Sequence, residues 1–126
     1  MAEIFDKKIL LAESERDLAE AIARAIRASG GSVDVVNDGV QAIDAFSDRD
    51  YDLILIGETI SRRRYDEVAL KFKLNGGRKA ICILKSSKRE KREKSDAFDG
   101  FLHTPFDNEK LISVAKGVLS EDNRSE

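Results

Sequence analysis

Five short apolar runs lie along the chain, and each predicts a β-strand. Three of them lack polar alternation, which is typical of parallel strands that are covered on both faces. The second run alternates Val33, Asp34 and Val35, which indicates an edge strand. The predicted strands cover residues 9–12, 33–36, 53–56, 80–84 and 100–102.

Helical periodicity fills most of the intervals between these runs. The first stripe consists of Leu18, Ile22, Ala25 and Ile26, and the glycines at 30–31 end that helix. We interpret Ser14 as its N-cap, within a capping box over residues 14–17. The second stripe is Ala42, Ile43 and Phe46, in a helix started by Asn37, Asp38 and Gly39. The third is Tyr65, Val68, Ala69 and Phe72, in a helix that ends near Asn75, Gly76 and Gly77. The last is Leu111, Ala115 and Val118, in a helix that begins at Asp107.

Strands and helices therefore alternate, which predicts an α/β fold with three layers, doubly wound around a five-stranded parallel sheet. Residues 86–95 depart from the pattern because they contain no apolar residue. They predict either a detached charged helix or a mobile segment. We expect one domain over residues 1–119, followed by a polar tail or the start of a linker at 120–126.

Composition narrows the class of protein. The chain has 126 residues, 41% of them hydrophobic, which is enough for one buried core. No apolar run approaches the roughly 18–20 residues of a membrane span, and the start of the chain does not resemble a signal peptide. The single cysteine, Cys82, lies in an apolar strand and is interpreted as a core residue. We expect a cytoplasmic domain that does not bind membranes.

Charge is distributed unevenly along the chain. Residues 61–94 hold 13 of the 22 basic residues but only 4 of the 24 acidic ones, so this segment carries +9 and the remainder −11. Such a segment predicts either a basic binding surface or a strongly solvated one.

Three local strings carry a family resemblance. They are ILL at 9–11, which leads into an acidic turn, YDLILI at 51–56 and FLHTPF at 101–106. In order and spacing they resemble the receiver domain of bacterial two-component response regulators over roughly residues 7–119. The resemblance implies the strand order 2-1-3-4-5. It also implies a phosphorylation pocket in which carboxylates hold Mg²⁺ and one of them attacks the phosphodonor, assisted by a hydroxyl and a lysine.

This sequence departs from that pattern at each pocket position. Glu13 and Ser14 stand where the family has two acids, and Gly57 stands at the phosphoacceptor position. Lys85 takes the hydroxyl position, and Thr104 replaces the lysine before proline. We therefore expect a degenerate pocket that holds no metal or cofactor and performs no catalysis.

Some pocket assignments have alternatives. A shift of one residue in the alignment would put Ser86 at the hydroxyl position instead of Lys85. Glu58 could be a displaced phosphoacceptor, but neighbouring strand residues point to opposite faces, so it should not occupy the place of Gly57. Glu13 and Lys85 follow strands that end at the same sheet edge, so we expect an ion pair between them in the vacant metal site.

Two features near the end of the sheet have mainly structural interpretations. His103 is the only histidine, and without clustered metal-binding partners it is interpreted as a packed or surface residue. The bond between Thr104 and Pro105 is expected to be cis, as in the resembled family. Phe101 matches the aromatic switch position of that family.

Basic residues after the third and fourth strands form a candidate binding edge, because ligands collect beyond the carboxyl ends of parallel strands. With Phe101, the candidate residues for partner or anion binding are Arg62, Arg63, Arg64, Lys85, Lys88 and Arg89. The alternative for residues 88–94 is a solvated helix with alternating charges. Nucleic acid is possible but not favoured, because Tyr65 is the only aromatic side chain near these residues.

These features predict a pseudo-receiver that signals without phosphorylation, through contact with another signalling protein or an attached effector domain. Two alternatives remain open. A domain that binds an anionic ligand or nucleic acid would show steep salt dependence. An unorthodox phosphoacceptor would gain mass with small phosphodonors.

Overall fold

The computed structural model of the chain describes residues 4–85 and 96–120. The predicted charged segment at 86–95 and residues 121–126 of the predicted tail lie outside the described residues. In chain order the elements are β1 (Lys8–Ala12), α1 (Arg16–Ala28), β2 (Ser32–Val36), α2 (Gly39–Asp48), β3 (Leu53–Gly57), α3 (Tyr65–Leu74), β4 (Lys79–Leu84), β5 (Gly100–His103) and α4 (Asn108–Ser120).

The strands form one parallel sheet in the order β2-β1-β3-β4-β5. All five predicted strands are confirmed, and each extends one residue beyond its predicted bounds. The alternating strand β2 lies at an edge, as predicted. In the register of the sheet, Ala12 lies beside Ile56, and Gly57 lies beside Ile83. The carboxyl ends of β1, β3 and β4 therefore meet at one edge.

Two apolar layers cover the sheet. Leu11 and Leu55 point into the layer formed by α1 and α4, and Leu10 and Ile54 point into the layer formed by α2 and α3. Cys82 is fully buried in the second layer, as predicted. Because both faces are covered, the central strands tolerate the continuous apolar runs seen in the sequence. No helix within the two described ranges is long and apolar enough to cross a membrane.

Most predicted helix ends are confirmed, but the start of α1 is not. Asp38 caps α2, and its side chain accepts a hydrogen bond from the Gln41 amide. Asp107 does the same for α4 through the Lys110 amide at 2.8 Å. The predicted N-cap Ser14 is wrong. Helix α1 begins after Glu15, without a capping side chain, and Ser14 is exposed before it.

The carboxylate of Glu13 explains this correction. Its Oε2 atom accepts a hydrogen bond from the Glu15 amide at 2.8 Å. This contact turns the chain into α1 from outside the helix, so Ser14 has no capping role. The peptide bond between Thr104 and Pro105 is cis, as predicted.

Candidate functional site

Glu13, Gly57 and Lys85 come together at the carboxyl edge of the sheet. Glu13 directly follows β1, Gly57 ends β3, and Lys85 directly follows β4. The Glu13 amide donates to the Val36 carbonyl at 3.1 Å, which fixes the backbone at the point where β1 ends. The topology therefore brings together three of the five residues of the predicted degenerate pocket.

The predicted ion pair between Glu13 and Lys85 is present. The Nζ atom of Lys85 lies 2.5 Å from Oε2 of Glu13 and 3.2 Å from Oε1 of Glu15. The Glu13 side chain is fully buried, and that of Lys85 is 15% exposed. The lysine charge is therefore directed inward, toward two carboxylates. Glu15 was not predicted as a pocket residue, because an exposed glutamate at the start of a helix carries no distinctive signal in the sequence.

The backbone at Gly57 provides the space for this carboxylate. A Cβ atom at residue 57 would collide with Oε1 of Glu13. Within the described residues no hydrogen-bond donor contacts Oε1, which is buried. The Glu13 carboxylate thus fills the space into which a side chain at residue 57 would project.

Glu58 does not replace a side chain at residue 57. Its backbone amide donates to the Ile83 carbonyl at 3.0 Å, and its Oε2 atom accepts from the Lys85 amide at 2.9 Å. The side chain therefore fastens the end of β3 to the end of β4. No group of three His, Cys, Asp or Glu side chains that could hold a metal ion occurs among residues 4–85 and 96–120.

Thr104 and Ser14 contribute no charged group to the pocket. The Thr104 hydroxyl donates to the Leu84 carbonyl at 3.1 Å, and its amide donates to the same carbonyl at 3.0 Å. Thr104 therefore joins β5 to β4. Ser14 is exposed.

The loop that carries the three arginines packs against the start of α2. The Gly39 amide donates to the Ser61 carbonyl at 2.9 Å, and a Cβ atom at residue 39 would collide with the Cβ of Arg63. Arg62 adopts a left-handed backbone conformation with φ of 74°. For a residue other than glycine this conformation costs of order 1–3 kcal/mol and persists only where the surrounding contacts fix it.

Each of the three arginines faces one carboxylate. Arg64 forms two hydrogen bonds with Asp66, at 3.1 and 2.8 Å, and they hold the pKa of that carboxyl below its usual value. The other two contacts are longer: Arg62 lies 3.6 Å from Asp38, and Arg63 lies 3.7 Å from Glu67.

Lys85 does not belong to the exposed basic edge that the sequence predicted. Its side chain points inward to Glu13, whereas those of Arg62, Arg63 and Arg64 are half or more exposed. Lys88 and Arg89 lie outside the described residues.

Three aromatic rings connect the start of α3 to β5. The rings of Tyr65 and Phe98 are stacked with centroids 5.7 Å apart, and Phe98 lies 5.8 Å from Phe101. Phe101 is half-buried. Phe98 was not predicted as a functional residue. The apolar pair Ala97-Phe98 just before a predicted strand could have indicated that this ring is buried, as the structure has it. His103 is exposed on β5, so of its two interpretations, as a packed or a surface residue, the second fits the structure.

No family model matches the chain. The chain is 28% identical over 118 residues to the transcriptional regulatory protein CutR of Streptomyces coelicolor, which covers 88% of the chain and 52% of CutR. It is 26% identical over 122 residues to the response regulator MprA of a Mycobacterium species, which covers 94% of the chain and 53% of MprA. The chain thus spans about half the length of these curated relatives.

Solved structures agree on the architecture. The response regulator receiver domain protein (CheY-like) from Methanospirillum hungatei superposes with a TM-score of 0.85 at 18% identity, covering 96% of this chain and 99% of that one. The chemotaxis response regulator CheY4 of Vibrio cholerae superposes with a TM-score of 0.79 at 17% identity, covering 90% and 98%. At these identities the structures establish the fold. Together, the fold and the sequence relatives support a response regulator receiver (CheY-like) domain.

Proposed function

We propose that the chain is a receiver-like signalling module that acts without phosphorylation and without catalysis, through contact with another protein. The partner is either a separate signalling protein or an effector domain attached to the same chain. The similarity to regulators about twice as long, one of them named as a transcriptional regulator, supports the second arrangement.

The occupied space beside Gly57 is the observation that carries this proposal. Phosphoryl transfer to a protein needs a nucleophilic side chain, and glycine has none. It also needs cations that are free to neutralise charge on the transferred group. Among the five predicted pocket residues the cation is Lys85, and it is paired with Glu13 and Glu15. The pocket is therefore filled by side chains of the protein itself.

The alternative functions have less support. A general anion or nucleic-acid site is weakened because Lys85 is directed inward and each of the three arginines faces a carboxylate. The carboxylates nearest to the predicted acceptor position are those of Glu13 and Glu58. The carboxylate of Glu13 is fully buried, and Glu58 accepts a backbone hydrogen bond at the end of β4. A carboxylate in either position is poorly placed to attack a phosphodonor from solvent.

Incubation with acetyl phosphate and Mg²⁺, followed by intact-protein mass spectrometry, tests the proposal. We expect no gain of a phosphoryl group under conditions that phosphorylate an active receiver domain in parallel. The variant Gly57→Asp should also remain unmodified, because Glu13 occupies the space of the new side chain. A phosphoryl adduct on the unaltered chain, located by peptide mapping to Glu13 or Glu58, would show that the module uses an unorthodox acceptor.

A further inference from the structure

We propose that the dipeptide Asn75-Gly76 is a site of spontaneous deamidation, and that this modification irreversibly loosens the contact between α2 and α3. The reagents are water and hydroxide, so no enzyme and no cofactor is required. Of the four asparagines in the sequence, only Asn75 precedes a glycine. The inference does not depend on the proposed function, because it concerns the packing of two helices and not the pocket beside Gly57.

The reaction needs a backbone nitrogen that can reach the asparagine side chain. Hydroxide removes the proton of the Gly76 amide, and the nitrogen attacks Cγ of Asn75. The new bond from nitrogen to Cγ closes a succinimide ring, the bond from Cγ to Nδ2 breaks, and Nδ2 leaves as ammonia with a proton taken from water. Water then adds to one of the two ring carbonyls and opens the ring. The products are aspartate and isoaspartate at residue 75, and the net change replaces an amino group by a hydroxyl group.

The surroundings of Gly76 leave its nitrogen accessible. Asn75 and Gly76 are exposed at the end of α3, and a Cβ atom at residue 76 would meet nothing within 4 Å. An open cavity of about 400 Å³ lies beside both residues and admits water. Gly76 has a φ of 99°, which residues other than glycine rarely adopt. The helix end therefore requires at this position the residue that obstructs the attack least.

The fold restrains both reacting groups as long as the end of α3 is closed. The Nδ2 atom of Asn75 donates to the Phe46 carbonyl of α2 at 2.8 Å, and the Gly76 amide donates to the Lys73 carbonyl at 3.2 Å. Asn75 has a ψ of 14°, which places the Gly76 nitrogen nearly in line with the backbone nitrogen of Asn75 and away from its side chain. Attack on Cγ requires rotation of this bond. Deamidation therefore proceeds through local opening of the end of α3, and its rate measures how often that end opens.

The products cannot restore the contact between the two helices. A carboxylate oxygen in place of Nδ2 is an acceptor, and it would face the Phe46 carbonyl, which is also an acceptor. The new negative charge lies at the carboxyl end of α3, where the helix dipole disfavours it. Isoaspartate adds one carbon to the main chain, which displaces the amides of Gly76 and Gly77 from the carbonyls of Lys73 and Phe72. Both products therefore leave the end of α3 more open than before.

Peptide mapping by mass spectrometry, after incubation of the full chain in mildly alkaline buffer, tests the site. We expect residue 75 to be modified first, and chromatography should separate the aspartate and isoaspartate forms. Asn37 and Asn108 are internal controls, because Asp38 and Glu109 follow them and their side chains crowd the attacking nitrogen. Both controls should stay unmodified over the same period.

The restraint by the fold is tested by comparing the full chain in buffer, the full chain in urea and a synthetic peptide of residues 71–79. The peptide and the unfolded chain should be modified at similar rates. The folded chain should be modified at least about threefold more slowly, as expected when one hydrogen bond must first be broken.

Variants test the consequence for the helices. Asn75→Asp reproduces one product and should lower Tm by about 2–6 °C, because a hydrogen bond is replaced by two facing acceptors. The matched control Asn108→Asp makes the same exchange at the start of α4 and should leave Tm unchanged or slightly higher, because a carboxylate is favourable at the amino end of a helix. Asn75→Gln keeps a side-chain amide but would have to close a larger ring, so residue 75 should stay unmodified.

Four results would overturn the proposal. They are modification that begins at Asn37 or Asn108, equal rates in the folded chain and the peptide, an unchanged Tm in Asn75→Asp, and a folded chain that stays unmodified under conditions that convert the peptide. None of these results bears on the acetyl phosphate experiment, which concerns the opposite edge of the sheet.

Discussion

At the residue scale, the buried carboxylate of Glu13 determines what the pocket can contain. A buried charge is tolerated when it is paired and hydrogen-bonded, and this one receives Lys85 and the Glu15 amide on the same oxygen. Its other oxygen faces Gly57. Glycine at 57 is thus a structural requirement of Glu13, and under the proposed function it also leaves this position without a nucleophile.

This relation predicts that the effects of Gly57→Ala and Glu13→Ala on stability depend on each other. In the unaltered chain, Gly57→Ala should lower the free energy of unfolding by about 1–3 kcal/mol, because the new methyl group overpacks against the carboxylate. In the Glu13→Ala background the same change should be neutral or slightly stabilising, because alanine restricts the unfolded chain. Urea unfolding of the four proteins measures this coupling.

Equal losses of stability in both backgrounds would show that the contact with Glu13 is not what excludes a side chain at 57. Backbone strain offers no competing explanation, because Gly57 is not among the glycines with a positive φ.

The sequence was informative about single residues where topology alone brings them together. Glu13 and Lys85 were predicted to pair because their strands end at the same edge. It was misleading where one side chain takes the role of another. Ser14 resembles an N-cap, but the Glu13 carboxylate accepts the nearby amide. The same carboxylate binds Lys85, so this lysine does not belong to the exposed basic edge. The pattern of charges along the sequence cannot indicate which lysine is paired in this way.

At the element scale, a phenol joins the edge strand β2 to the segment that precedes β3. The Tyr51 hydroxyl donates to Oδ2 of Asp34 at 2.6 Å, and Arg49 contacts the same carboxylate oxygen at 2.8 Å. Burial raises the pKa of the Tyr51 phenol, and the hydrogen bond to Asp34 raises it further.

A raised pKa in the folded state predicts a dependence of stability on alkaline pH. The contribution of neutral Tyr51 should be fully present below the unfolded pKa of about 10 and should be lost as pH rises through the higher folded value. In an ultraviolet titration of the two tyrosines, one phenol should ionise at a higher pH than the tyrosine of a model peptide. In the variant Tyr51→Phe this high-pH transition should disappear. Its persistence would assign the shift to Tyr65.

Elements were predicted well where burial on both faces leaves a continuous apolar run, as in β3 and β4. Helix α3 was predicted from its inward residues, which are all at least half-buried. That stripe leaves Leu70 and Leu74 on the other side of the helix, and both are exposed in the structure.

At the scale of the whole molecule, the chain has the fold of receiver domains, and the side chains of Glu13 and Lys85 fill the space beside Gly57. The sheet order and both apolar layers follow the pattern that the sequence predicted. The positive charge of residues 61–94 is in part neutralised by acids from elsewhere in the fold, such as Glu13, Asp38 and Asp99. Net charge along the sequence therefore overstates the basic surface.

The central claim is that the pocket does not respond to a phosphoryl group, and amide NMR with beryllofluoride and Mg²⁺ tests it most directly. Beryllofluoride imitates a phosphoryl group on an aspartate and needs no phosphodonor. We predict that the amides of Glu13, Gly57, Glu58 and Lys85 keep their positions at saturating reagent, while an active receiver domain in parallel shifts. Clustered shifts of these four amides that depend on Mg²⁺ would contradict the account and show that the pocket still binds the signal.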